Sequence, residues 1–177
     1  QLRTRRPDLE FTPIRGNVDT RRRTVLEGRV DGVILAAAGL KRLGLFDEHV
    51  SALPLDYCLP QAGQGILALE TRAQDTATIE LLRAIHDADA GACLLAERAV
   101  LAALAAGCQA PVAAYAEITG DLLRVRGLVA HTTPRRPLTA MREGSLQDAE
   151  QLGHAVAAQL LAQGADVWLR EAREATA

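Results

Sequence analysis

One lysine, one methionine and one tryptophan are present, and aromatic residues make up only 3% of the chain. So few rings leave little on which bases could stack, and with an isoelectric point near 6.1 this excludes a nucleic-acid platform. Three cysteines, Cys58, Cys93 and Cys108, are odd in number and form no CxxC pair. That argues against a disulfide framework and a structural zinc site, and fits a reducing cytoplasm. The longest apolar run, residues 33–40, falls far short of the roughly 18 residues that a membrane helix needs. No basic stretch leads into an apolar one at the start, so secretion is not expected. The chain opens on Gln1 instead of methionine, which predicts that residues precede it.

What is present is an ordinary globular balance, 49% hydrophobic and 24% charged over 177 residues, enough for one domain or two small ones. The net charge of -2 is unevenly spread. Residues 1–42 carry nine arginines and Lys41 against five acids, a balance of +5 that leaves -7 for the rest. Two readings stand side by side: a solvated basic face, or an anion-binding surface that uses the planar fork of arginine.

The pattern along the chain changes character. Residues 9–14 read as a strand. A helix follows, capped by Asp19 or Thr20 and ended by Gly28, and residues 33–38 form a continuous apolar strand. Together they predict a right-handed parallel βαβ unit. A short helix or turn carries Lys41 and Arg42, and the connection over 47–65 holds Pro54, Pro60, Gly63 and Gly65. A strand over 66–70 comes next. Helices over about 75–87 and 89–106 follow, the second with Leu94, Leu101 and Leu104 on one side and stopped by Gly107. Beyond residue 111 the period is two: Val112, Ala114, Ala116 and Ile118 alternate with polar or small neighbours, as do Leu123 and Val125. A third short strand falls over 137–142. Leu152, Val156 and Leu160 then lie at i, i+4, i+8 of a helix over 146–163, with a terminal helix around Trp168. This last third predicts a small α+β domain with an antiparallel sheet.

The residue types leave the chemistry open. Cys108 is either an inert small residue or, on a constrained loop between Gly107 and Pro111, a reactive one. No histidine within four residues makes it a protease-like nucleophile. His49, His86, His131 and His154 are scattered without ligand spacing. Gly63-Gln64-Gly65 is a weak phosphate-loop signal, lacking the lysine of such motifs.

Four motifs in order carry a resemblance. They are Arg15-Gly16-Asn17-Val18-x-Thr20-Arg21; Asp31-Gly32-Val33-Ile34-Leu35-Ala36-Ala37-Ala38-Gly39-Leu40-Lys41-Arg42-Leu43-Gly44; Leu59-Pro60-Gln61-Ala62-Gly63-Gln64-Gly65; and Ala96-Glu97-Arg98 followed by Gly107-Cys108-Gln109-Ala110-Pro111. They resemble segments of the porphobilinogen deaminase, or hydroxymethylbilane synthase, family. The likeness covers essentially the whole chain, most specifically residues 5–116.

The resemblance implies a transferase that joins four porphobilinogen molecules head to tail, releasing ammonia at each step, in tetrapyrrole (haem) biosynthesis. It implies a dipyrromethane cofactor held by a thioether on Cys108, with Arg21, Gln64 and Gly65 as cofactor contacts. Arg15, Arg21 and Arg42 would hold the acetates and propionates of the pyrroles. Porphobilinogen is then the partner, with neither nucleic acid nor membrane involved, in a cytoplasmic monomer. The implied fold is α/β: a partial, periplasmic-binding-protein-like βαβ domain, then the α+β domain. Residues 1–60 would belong to the arginine-rich second domain, 61–87 would be a crossover strand and helix of the first, and 88–177 would carry the cofactor cysteine.

No catalytic residue is expected in this chain. The family's aspartate, and a Ser-x-Arg-Arg segment, would lie before Gln1, so the 177 residues alone are expected to be inactive. Ala106, Gln61 and Ala62 depart from the family's commoner Gly and Ala-Val. The alternative of another class is a non-catalytic anion-binding module of periplasmic-binding-protein type. It would have no use for a tethering cysteine.

Overall fold

The computed structural model describes residues 1–107 and 109–175. In chain order the helices are α1 (Leu2–Arg5), α2 (Val18–Leu26), α3 (Ala37–Arg42), α4 (Thr76–Arg83), α5 (Ala88–Ala103), α6 (Ala149–Ala162) and α7 (Ala165–Glu174), with a 3-10 turn over Leu146–Asp148. The strands are β1 (Val112–Thr119), β2 (Leu122–Val129) and β3 (Leu138–Gly144), an antiparallel sheet in the order β1-β2-β3. The molecule is thus mixed α and β, with its sheet where the period-two pattern begins.

The core lies between that sheet and α5 and α6. Side chains alternate across a strand, so Leu123, Val125 and Val129 of β2 face the helices and are fully buried. They meet Val100 of α5 and Val156 and Leu160 of α6, and burial of each such side chain contributes about 1.5–3 kcal/mol. Two glycines let these layers approach closely. A Cβ on Gly127 would stand 2.5 Å from Val156 Cγ1, and one on Gly153 would run into the Ala96 carbonyl oxygen and lie 2.6 Å from Ala99 Cβ. The outer sheet face is covered by a connection: Leu59 packs on Ala113 and Leu128, flanked by Leu55 and Tyr115. Gln1 holds that connection like a ladder partner, its Nε2 donating to Leu59 O at 2.9 Å and its Oε1 accepting from Leu59 N at 2.8 Å.

Residues 1–87 look different. Leu40 and Leu59 are their only buried apolar residues among those described, while Leu67, Leu69, Leu81 and Ile85 stand between 62% and 75% exposed.

Several expectations are corrected. The stretches 9–14, 33–38 and 66–70 join no ladder among the described residues, and Ala37 and Ala38 begin α3 instead. No backbone bond joins the first two stretches, and an apolar run becomes a strand only beside a hydrogen-bonded neighbour. The predicted βαβ ladder is therefore absent within these residues. Asn17, not Asp19 or Thr20, caps α2, accepting the Thr20 N–H at 2.8 Å.

Helix α5 ends at Ala103, and Gly107 is not its stop. Ala105 takes the left-handed conformation (φ 47°); its N–H donates to Ala102 O and that of Ala106 to Leu101 O, each at 3.0 Å. This is a Schellman closure built on alanine. The buried face of α5 consists of Ala96, Glu97, Ala99 and Val100 and is continued by Leu104 at its cap; of the expected leucine side Leu104 is buried and Leu94 and Leu101 are half-buried.

Candidate functional site

Cys108 lies outside the described residues; its flanks are described. After the Schellman closure, Ala110 N donates to Gly107 O at 3.0 Å and Val112 N to Ala110 O at 2.7 Å, so the chain turns tightly before β1. Ala130 N donates to Pro111 O at 2.8 Å and ties this turn to the residue after β2. Cys58 and Cys93 are half-buried free thiols, and burial followed by the nearby Glu97 pushes the Cys93 thiol up, away from thiolate character.

The arginines gather around α2 and α3. Arg21, on α2, is half-buried, and its Nε donates to Gly16 O at 2.8 Å, which folds the Arg15-Gly16-Asn17 loop over the start of the helix. A Cβ on Gly39 of α3 would sit 3.4 Å from Val18 Cγ2, so α3, which bears Arg42, approaches the first residue of α2, which bears Arg21. Arg15 and Arg42 are exposed and make no ion pair among the described residues. By contrast, Arg22 is paired with Asp47 and Arg6 with Asp8. Unpaired, exposed guanidinium groups are the donor set that carboxylates require.

Gln64 and Gly65 are exposed on a tight loop. Gln64 N donates to Gln61 O at 3.2 Å and Ile66 N to Gly63 O at 3.1 Å, with Gly63 at φ 72°. The Gly65 N–H makes no bond among the described residues.

A residue given no role in the sequence reading holds this loop. Glu97, buried on α5, accepts the Gly63 N–H on Oε2 at 2.6 Å and the Ala116 N–H on Oε1 at 2.8 Å. Burial pushes its carboxyl above the usual range, against the opposing pull of the two amide bonds. The signal was present: residue 97 falls at i+4 from Cys93 and i−3 from Val100, inside the apolar stripe of the helix. A second missed group lies on the outer sheet face, where Arg126 bridges Asp56 at 3.2 Å and Glu117 at 3.1 Å, and Arg124 pairs with Glu143.

A concavity of about 850 Å³ opens beside that face. It is lined by Arg5, Tyr57, Arg126 and Arg136 and by none of Arg15, Arg21, Arg42, Gln64 or Gly65. The residues singled out by sequence therefore sit on exposed loops and helices, and that hollow is not shaped by them.

Residues 1–80 match the family profile described as porphobilinogen deaminase, dipyromethane cofactor binding domain, and residues 91–162 the one described as porphobilinogen deaminase, C-terminal domain. Curated relatives named porphobilinogen deaminase include one from Acidithiobacillus ferrooxidans, 47% identical over 175 residues, covering 99% of this chain and 56% of that protein. Another, from Trichlorobacter lovleyi, is 45% identical over 176 residues, covering 97% of this chain and 56% of the relative. One from Carboxydothermus hydrogenoformans is 42% identical over 173 residues, covering 98% and 56%. The chain spans about half the length of these curated relatives. With both profiles matched in series, the chain belongs to the porphobilinogen deaminase family.

Proposed function

We propose that this chain supplies the cofactor tether and part of the carboxylate clamp of a porphobilinogen deaminase, which condenses four porphobilinogen molecules into hydroxymethylbilane with loss of one ammonia per step. The observation that carries this reading is the match to both family profiles in series, with Gly107-Cys108-Gln109 inside the second. The arginine-rich half would then have the periplasmic-binding-protein-like arrangement, residues 61–87 would belong with the first domain, and the site of action would be cytoplasmic.

The donor set fits a polyanionic tetrapyrrole precursor. Each pyrrole brings an acetate and a propionate, so every step adds two negative charges to be held. Arg15 and Arg42, exposed and without an ion pair among the described residues, and Arg21, steadied by Gly16, would bind those carboxylates as forked donors. Cys108 would anchor the dipyrromethane through a thioether, which is uncharged and stable to hydrolysis. When bound, that group supplies the pyrrole end to which the first substrate is joined. Gln64 and Gly65 would contact it from the loop, where the Gly65 N–H makes no bond among the described residues. No general acid for the deamination is assigned to this chain, and the 177 residues alone are expected to show no turnover.

Intact-mass measurement of the polypeptide as its gene encodes it, native and Cys108→Ala, tests the reading. The native protein should carry the dipyrromethane increment and the variant should lose it. A native mass without the increment, or an increment that survives the substitution, overturns the assignment.

A further inference from the structure

Glu97 carries more than its place in the core requires. A buried carboxylate is costly unless its oxygens accept strong hydrogen bonds, and an apolar side chain of the same volume would fill the space at less cost. What it does that an apolar residue cannot is bind two backbone amides at once. Gly63 N–H is one of them, in the loop before Gln64 and Gly65, and Ala116 N–H is the other, on β1. The Ala116 end is anchored by the sheet, where Ala116 pairs with Val125. The Gly63 end belongs to a loop that makes turn bonds of its own, with Ala62 packed on the core and Leu94 Cδ1 3.3 Å from where a Cβ at Gly63 would lie. The carboxylate is therefore a direct clip between a fixed strand and the backbone of that loop at Gly63.

We infer that Glu97 is a positioning residue that locks the Gln61–Gly65 loop against β1, so that the exposed Gly65 N–H and the Gln64 side chain meet the cofactor in fixed register. The inference rests on the functional reading above for what the loop contacts, but not for the clip itself. Glutamine keeps the shape of the side chain and only one acceptor, so in Glu97→Gln one of the two amides faces an NH2 group and loses its bond. The loop amide gives way, because the strand amide is held by its neighbours. Glu97→Asp keeps the charge but is one methylene too short to span both amides.

The test uses Glu97→Gln and Glu97→Asp in the polypeptide as its gene encodes it, with two readouts. Amide hydrogen exchange should accelerate at least about tenfold at Gly63, equivalent to about 1.4 kcal/mol, while Val125 and Val129 exchange as in the native protein. Intact mass should show the fraction of molecules carrying the dipyrromethane increment falling several-fold in both variants, at temperatures well below their melting. Glu97→Gln with native exchange at Gly63 and native occupancy overturns the inference, since a packing role alone tolerates that isosteric change. Faster exchange with native occupancy also overturns it, because the loop would then be held for no effect on the cofactor. If the native protein itself carries no increment, the functional reading falls, and exchange at Gly63 still decides whether the clip exists.

Discussion

His131 Nε2 lies 2.9 Å from Glu171 Oε2, and the imidazole stands edge-on to Trp168 with ring centroids 4.9 Å apart. The Thr133 N–H donates to His131 Nδ1 at 3.0 Å, so Nδ1 is the acceptor and Nε2 carries the proton given to Glu171. This contact pins α7 to the residues that follow β2. Glu171→Ala leaves the nearly buried imidazole without its acceptor and should cost about 1 kcal/mol. Thermal melting should drop by a few degrees, with amide protection lost first in α7.

Ala105 invites a stabilising change. A left-handed residue with a Cβ costs roughly 1–2 kcal/mol that glycine does not, and glycine's extra freedom when unfolded returns part of this. Ala105→Gly should raise stability by about 0.5–1 kcal/mol, seen as a higher urea midpoint with an unchanged slope. A lower midpoint would mean that α5 does not close in this geometry.

Gly153 permits the closest approach of α5 and α6. In Gly153→Ala the new methyl meets the Ala96 carbonyl, a backbone atom that moves only if the helices part. The expected loss is about 2–3 kcal/mol, read from chemical unfolding, with far-UV circular dichroism unchanged below the transition.

The buried carboxyl of Glu97 sets a pH dependence. Its folded value is raised by burial above the unfolded one, so the folded state binds the proton more tightly than the unfolded chain. That contribution is fully present below about pH 4.3, the unfolded value. It is lost as pH rises through the raised folded value. The stability of native protein minus that of Glu97→Gln should therefore fall as pH rises above about 4.3. Parallel curves for the two proteins would show that this carboxyl titrates as if exposed.

The C-terminal third was legible because its signals are local. Val112, Ala114 and Ala116 alternate inward on β1, and Leu152, Val156 and Leu160 line one face of α6. The stretches 9–14, 33–38 and 66–70 have strand-like composition, but pairing is a property of two segments, and no partner among the described residues meets them. The end of α5 was misread because glycine marks left-handed positions by habit, whereas here two backbone bonds force alanine into one. Glu97 escaped notice because a charged residue reads as surface unless its helical phase is tracked. Of the site, the sequence pointed to Arg15, Arg21 and Arg42, which lie on the loop before α2, on α2 and on α3, away from the hollow beside the sheet. Cys108 is legible only as part of a motif and lies outside the described residues.

Where α5 meets α6 at Gly153, the contact is made with Ala96 and Ala99, residues with almost no side chain to remove. Truncation, the usual way a protein interior is weakened, has nothing to take away there. This seam can fail only by being overfilled. Mutational scanning should find it intolerant of every larger residue yet indifferent to exchange between alanine and serine at its margins, a one-sided sensitivity opposite to that of the leucines and valines beneath the sheet.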